Sequence, residues 1–72
     1  MDKVSKQFGD NLRRIRLAKK MSQADLGEKL GVDKGYISTL ESGKTNPTLG
    51  TIGKLATALG MKIENLIISY EN

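Results

Sequence analysis

Residues 22–43 read SQADLGEKLGVDKGYISTLESG. Ser22 opens the stretch as a helix N-cap, because its hydroxyl can accept a hydrogen bond from a first-turn N–H that has no partner within the helix. Asp25 stands at the third helical position. It is shorter than the Glu or Gln usual in a capping box, so it is expected to act mainly by complementing the helix dipole. Ala24, Leu26 and Leu30 give the second helix its apolar side. Gly31 ends that helix, since glycine adopts a left-handed C-cap without a Cβ penalty. Asp33 is the next N-cap, and Ile37 and Leu40 define the buried side of a third helix over residues 34–42, closed by Gly43. Two helices of about eight residues joined by a tight Gly-Val turn form a helix-turn-helix arrangement. As spacing alone, this also fits any small helical domain with two packed helices.

On the N-terminal side, Val4, Phe8, Leu12 and Ile15 are spaced by four, four and three, which predicts an amphipathic first helix over residues 3–19. On the C-terminal side, Lys44-Thr45-Asn46-Pro47 is a loop by composition. Thr48 caps a fourth helix with the stripe Leu49, Ile52, Leu55, Ala56 and Leu59, which Gly60 ends. Ile63, Leu66 and Ile67 make a last helical turn or two. No segment alternates with the period of a strand, so the expectation is one all-α, compact five-helix domain over residues 1–72, with the helix-turn-helix at 22–43.

The chain has 72 residues, no cysteine and no histidine. Disulfides, thiolate chemistry and the usual zinc ligands are therefore excluded. No serine has a visible base partner, and the glycines lack P-loop order, so the expectation is that the protein is not an enzyme and holds no metal or cofactor. The apolar positions never run to a membrane span or a secretory core segment, which points to the cytoplasm.

The formal net charge is +4. Residues 1–20 carry seven basic groups (Lys3, Lys6, Arg13, Arg14, Arg16, Lys19, Lys20) against Asp2 and Asp10, a net of +5, and the remainder of the chain nets −1. A basic flank on a small domain suits an anionic partner, with nucleic acid first; it also suits a solvated helix face.

The residue identities decide between these. Ser22 to Val32, Tyr36 to Lys44 and Asn46-Pro47-Thr48-Leu49 together resemble the Cro/C1-type (XRE-like) helix-turn-helix family of phage and bacterial repressors. Leu12-Arg13-Arg14-Ile15-Arg16, Leu55 to Met61 and Glu64-Asn65-Leu66 resemble its first, fourth and fifth helices, so the match runs in order over nearly the whole chain. The resemblance implies a lambda-repressor-like fold and a regulator of transcription that binds double-stranded DNA. It places the third helix in the major groove. The matching base-contacting positions are Lys34, Gly35, Ser38 and Thr39. Lys34 can donate to guanine, while Ser38 and Thr39 can donate or accept. Gly35 has no side chain to read with; it either admits close backbone approach or is simply a weak helix residue.

Phosphate-contacting positions implied by the resemblance are Ser22, Gln23, Tyr36, Ser42, Lys44, Thr45 and Asn46. Ser22 also has a sufficient role as a cap, and Tyr36 either packs over the helix-turn-helix or offers its hydroxyl to a phosphate. Gln23 either contacts a phosphate or is a solvent-exposed helix start. Arg16 and Glu41 match an internal ion pair of the family, which would withdraw Arg16 from the DNA-facing charge. Two positions depart from the family pattern: Lys20 replaces a left-handed glycine, implying strain or a different helix end, and Gly27 replaces alanine at the approach of the second and third helices. Near the C-terminus, Ile67, Ile68 and Tyr70 form an apolar group, in a segment at about 61–72 read as the interface of a homodimer on inverted half-sites. The other reading is a heterologous protein partner, as for an antitoxin or anti-regulator. No small-molecule ligand is expected, and such a regulator would act through its own concentration.

Overall fold

The structure is a computed structural model, described here over residues 3–67. Its helices are α1 (Lys3–Ala18), α2 (Gln23–Leu30), α3 (Lys34–Glu41), α4 (Leu49–Leu59) and α5 (Ile63–Ile67), with no strand among the described residues. The starts of the three middle helices follow from local chemistry. Ser22, Asp33 and Thr48 each hold extended backbone while the side chain accepts the N–H three residues on, from Asp25, Tyr36 and Thr51. At α2 the box closes in both directions, since Ser22 N–H donates to Asp25 Oδ2 at 2.9 Å. Asp25 therefore does more than complement the dipole: its shorter side chain still reaches the cap.

Phe8, Leu12, Ile15, Leu26, Ile37, Leu40, Leu55, Ala56, Leu59 and Leu66 form one core, to which all five helices contribute. Fully burying a side chain such as Leu12 or Ile37 contributes about 1.5–3 kcal/mol. The buried face of α1 is Ser5, Phe8, Gly9, Asn11, Leu12, Ile15 and Arg16. It follows the helical period, but its first turn is entered by Ser5 and not by Val4, which is 74% exposed. Adjacent helix residues differ by about 100°, so one position decides which side chain enters. Leu49 likewise leaves the expected stripe: it is 87% exposed on the first residue of α4, at the edge of the core. Ala24 and Ile63 are also exposed.

The ends of the helices carry the two departures noted in the sequence. Lys20 has φ 59°, a left-handed conformation, so the chain keeps the turn and accepts strain of about 1–2 kcal/mol where glycine would have none. At Gly27 an added Cβ would stand 2.7 Å from the carbonyl oxygen of Val32. The close approach is thus to the turn leading into α3, and not to the body of that helix.

Candidate nucleic-acid interface

The head of α3 is Lys34 and Gly35, both exposed, and one turn later Ser38 is exposed and Thr39 half-buried. Ile37 and Leu40, on the opposite side, are fully buried. This alternation gives α3 one sealed face and one polar face. Asp33 caps the helix through Tyr36 N–H at 2.9 Å, leaving Lys34 on the first turn, outside the cap. A Cβ on Gly35 would meet only the Asp33 carboxylate, at 3.2 Å.

The hydroxyls on and near α3 are not equivalent. Thr39 Oγ1 donates to the Tyr36 carbonyl at 2.7 Å, and Ser42 Oγ donates to the Thr39 carbonyl at 3.1 Å. Each spends its one proton on its own backbone and keeps only acceptor capacity toward an outside group. Thr39 can accept from a base amino group or place its methyl on a thymine, whereas Ser42 would have to break its bond to donate to a phosphate. Ser22 Oγ accepts Asp25 N–H at 2.9 Å, and its hydroxyl also bonds the Asp25 carboxylate, so it too is engaged within its own cap.

Behind this face lies a buried polar network. Arg16 Nε donates to Glu41 Oε2 at 2.6 Å, Arg16 Nη2 to Glu41 Oε1 at 3.0 Å, and Arg16 Nη1 to the Met21 carbonyl at 2.8 Å. Arg16 and Glu41 are each about 5% exposed. The side-chain bond to Glu41, aided by the carboxylate charge and opposed by burial, raises the Arg16 pKa above its ordinary value. Gln23, half-buried at the first position of α2, donates from Nε2 to Glu41 Oε1 at 3.2 Å. The structure therefore joins the head of α2 to the end of α3 through one carboxylate.

Tyr36 is half-buried and packs against the core. Lys44 is exposed, Thr45 half-buried and Asn46 exposed. Asn46 lies on a groove shared with Val4, Phe8, Pro47, Ile52 and Ile67, away from the polar network. Ile67 is 54% exposed at the end of α5, and Ile68 and Tyr70 lie outside the described residues. The N-terminal positive charge is partly committed: Arg16 to Glu41, Lys6 to Asp10 at 2.5 Å, and Arg14 to Asn11 Oδ1 at 2.5 Å.

Sequence reasoning missed two residues that hold this arrangement. Asn11 is buried and donates to the Leu66 carbonyl, tying α1 to α5. Gly9 meets the end of α3. The available signal was position: both fall on the face defined by Phe8, Leu12 and Ile15, where a polar residue or a glycine calls for a cross-helix partner or a close approach.

A helix-turn-helix family pattern matches residues 12–66. The chain is 37% identical over 64 residues to an uncharacterized HTH-type transcriptional regulator, y4dJ, of Sinorhizobium fredii, covering 89% of this chain and 83% of that protein. It is 39% identical over 61 residues to control protein C.BamHI of Bacillus amyloliquefaciens, covering 83% of this chain and 75% of that protein. Its fold is similar to the crystal structure of the restriction-modification controller protein C.AhdI from Aeromonas hydrophila, with a TM-score of 0.81 and 41% identity over 85% of this chain and 88% of that one.

Proposed function

Since the chain belongs to the helix-turn-helix family, whose pattern spans residues 12–66, we propose that it is a transcriptional regulator that binds double-stranded DNA sequence-specifically, with α3 in the major groove. The observation that carries this reading is the two-sided character of α3: Lys34, Gly35 and Ser38 are exposed on a short helix whose other side is sealed by Ile37 and Leu40. A rigidly seated helix with a polar outer face suits the reading of base edges.

In this reading Lys34, Ser38 and Thr39 meet base edges while Gly35 lets the backbone come close. Ser22, Gln23, Lys44 and Thr45 meet phosphates. Tyr36, Ser42 and Asn46 are weaker phosphate candidates, because Tyr36 packs on the core, Ser42 has spent its proton and Asn46 lies on the apolar groove. The reading is one of binding and not of catalysis, and it is supported by the structural roles of Asp25 and Asp33 in caps and of Glu41 in an ion pair. No small-molecule ligand or cofactor enters the reading. A cytoplasmic, nucleoid-bound location accords with a cysteine-free chain, and no described helix is long and apolar enough to cross a membrane.

A homodimer on two inverted half-sites completes the proposal. Its support is the exposed apolar surface of Val4 and Ile67 beside Phe8, Pro47 and Ile52, continuous in sequence with Ile68 and Tyr70. Two recognition helices about 34 Å apart would match one turn of DNA. The same surface favours the second reading, a heterologous protein partner. Light scattering coupled to size exclusion separates them: a dimer at micromolar concentration supports the homodimer, and a strict monomer supports the other partner. The main test is selection from random genomic fragments with the pure protein. A short, near-palindromic site should be enriched, and selection without any enriched sequence would refute specific recognition.

A further inference from the structure

We propose that Glu41, which is buried behind the exposed face of α3, is a positioning residue that fixes which end of the Gln23 amide faces the phosphate. The proposal rests on the reading that Gln23 meets a phosphate. A glutamine amide has two ends of nearly equal size: the nitrogen donates twice and the oxygen only accepts. A phosphate also only accepts. An amide free to turn over would spend part of its time presenting oxygen to oxygen, which is repulsive.

Glu41 removes that freedom. Its carboxylate is itself acceptor-only, so Gln23 must turn its nitrogen toward Oε1, as it does at 3.2 Å. One N–H is then donated to Glu41 and the second is left on the same nitrogen for an outside acceptor. The carboxylate cannot turn away from the amide, because Arg16 grips both oxygens, at 2.6 and 3.0 Å. Arg16 also holds the Met21 carbonyl at 2.8 Å, directly before the α2 cap. The guanidinium thus fixes the carboxylate and the chain entering α2 together. At the head of α2 it is therefore Gln23 that retains a donor, and the reason lies in the buried pair.

A double-mutant cycle on the full chain tests this, with Gln23→Ala, Glu41→Gln and the combination, binding a short random-sequence duplex. Glutamine at 41 keeps the size of Glu41 but can offer either a donor or an acceptor, so it releases the Gln23 amide. Gln23→Ala should weaken binding roughly tenfold, the scale of a hydrogen bond to a charged group. In the Glu41→Gln background the same change should cost less, about fivefold where both amide orientations become equally populated, as for residues coupled in one network. If Gln23→Ala leaves affinity unchanged, the phosphate reading of Gln23 fails. If it weakens binding equally in both backgrounds, the phosphate reading stands and the positioning role of Glu41 is overturned. Should Glu41→Gln fail to fold by circular dichroism, nuclear magnetic resonance on the unaltered protein decides. One of the two Gln23 side-chain amide protons should be shifted downfield and slowed in exchange relative to the other, and a pair indistinguishable from that of a free glutamine overturns the proposal.

Discussion

Gly9 of α1 lies against Leu40 of α3 so closely that a Cβ on Gly9 would stand 2.5 Å from the Leu40 carbonyl oxygen, and equally near that of Glu41. The first and third helices meet there backbone to backbone. That contact seats the end of α3, which carries Glu41, and so sets the polar network behind the exposed polar face of that helix.

Gly9→Ala is expected to destabilise the protein by about 1–3 kcal/mol, the scale of overpacking. Helix propensity alone predicts the opposite sign, a gain of about 1 kcal/mol from replacing a mid-helix glycine. Urea denaturation of the variant separates the two, and a raised midpoint would refute the close approach.

The ion pair of Arg16 and Glu41 is buried and forked. Arg16→Met should cost about 3–5 kcal/mol, because it strands a buried carboxylate. For a chain of this size that loss is comparable with the total stability expected at about 0.05–0.15 kcal/mol per residue. Combining it with Glu41→Leu should restore most of the loss, since neither charge is then left buried. A single-variant loss below about 1 kcal/mol, typical of exposed pairs, would contradict the burial.

The α2 cap has a pH signature. The Ser22 backbone N–H, and after it the Ser22 hydroxyl, lower the Asp25 pKa below its ordinary 3.8. A carboxylate lowered in the folded state adds stability that is present above the unfolded pKa and is lost as pH falls through the folded one. The stability difference between the natural protein and Asp25→Asn should therefore be constant near neutrality and shrink below about pH 4. Paired urea titrations across that range check it, and a difference unchanged at about pH 3 would show that the charge of Asp25 is not what holds the cap.

Lys34 and Lys44 should behave differently on DNA. Lys34→Ala should relax preference at one base position, by about 1–3 kcal/mol. Lys44→Ala should weaken all sequences alike and lower the slope of log affinity against log salt by about one. Binding measured on selected and scrambled duplexes over a salt series distinguishes them, and identical behaviour would overturn the division into base and phosphate contacts.

The three middle helices were legible because their starts are local. Ser22, Asp33 and Thr48 each bond a group three residues away, and that spacing is written in the chain. The order of five helices, the helix-turn-helix and the exposure of Lys34, Gly35 and Ser38 follow from such short-range chemistry together with the apolar period. The pairing of Arg16 with Glu41 was legible only through resemblance, since 25 residues separate them.

The sequence by itself thus determined where the middle helices begin, where they end and which residues they carry. The tertiary structure alone decided which face each helix buries at its ends and which buried polar groups meet. Ser5 replaces Val4 on the inner face of α1, Leu49 stands in solvent, Gly9 receives the α3 backbone, Asn11 reaches Leu66, and Gln23 reaches Glu41. The physical reason is range. A cap needs one turn of chain, whereas the phase of a buried stripe and the partner of a buried amide depend on groups 18 to 55 residues away, brought into place only when the core closes.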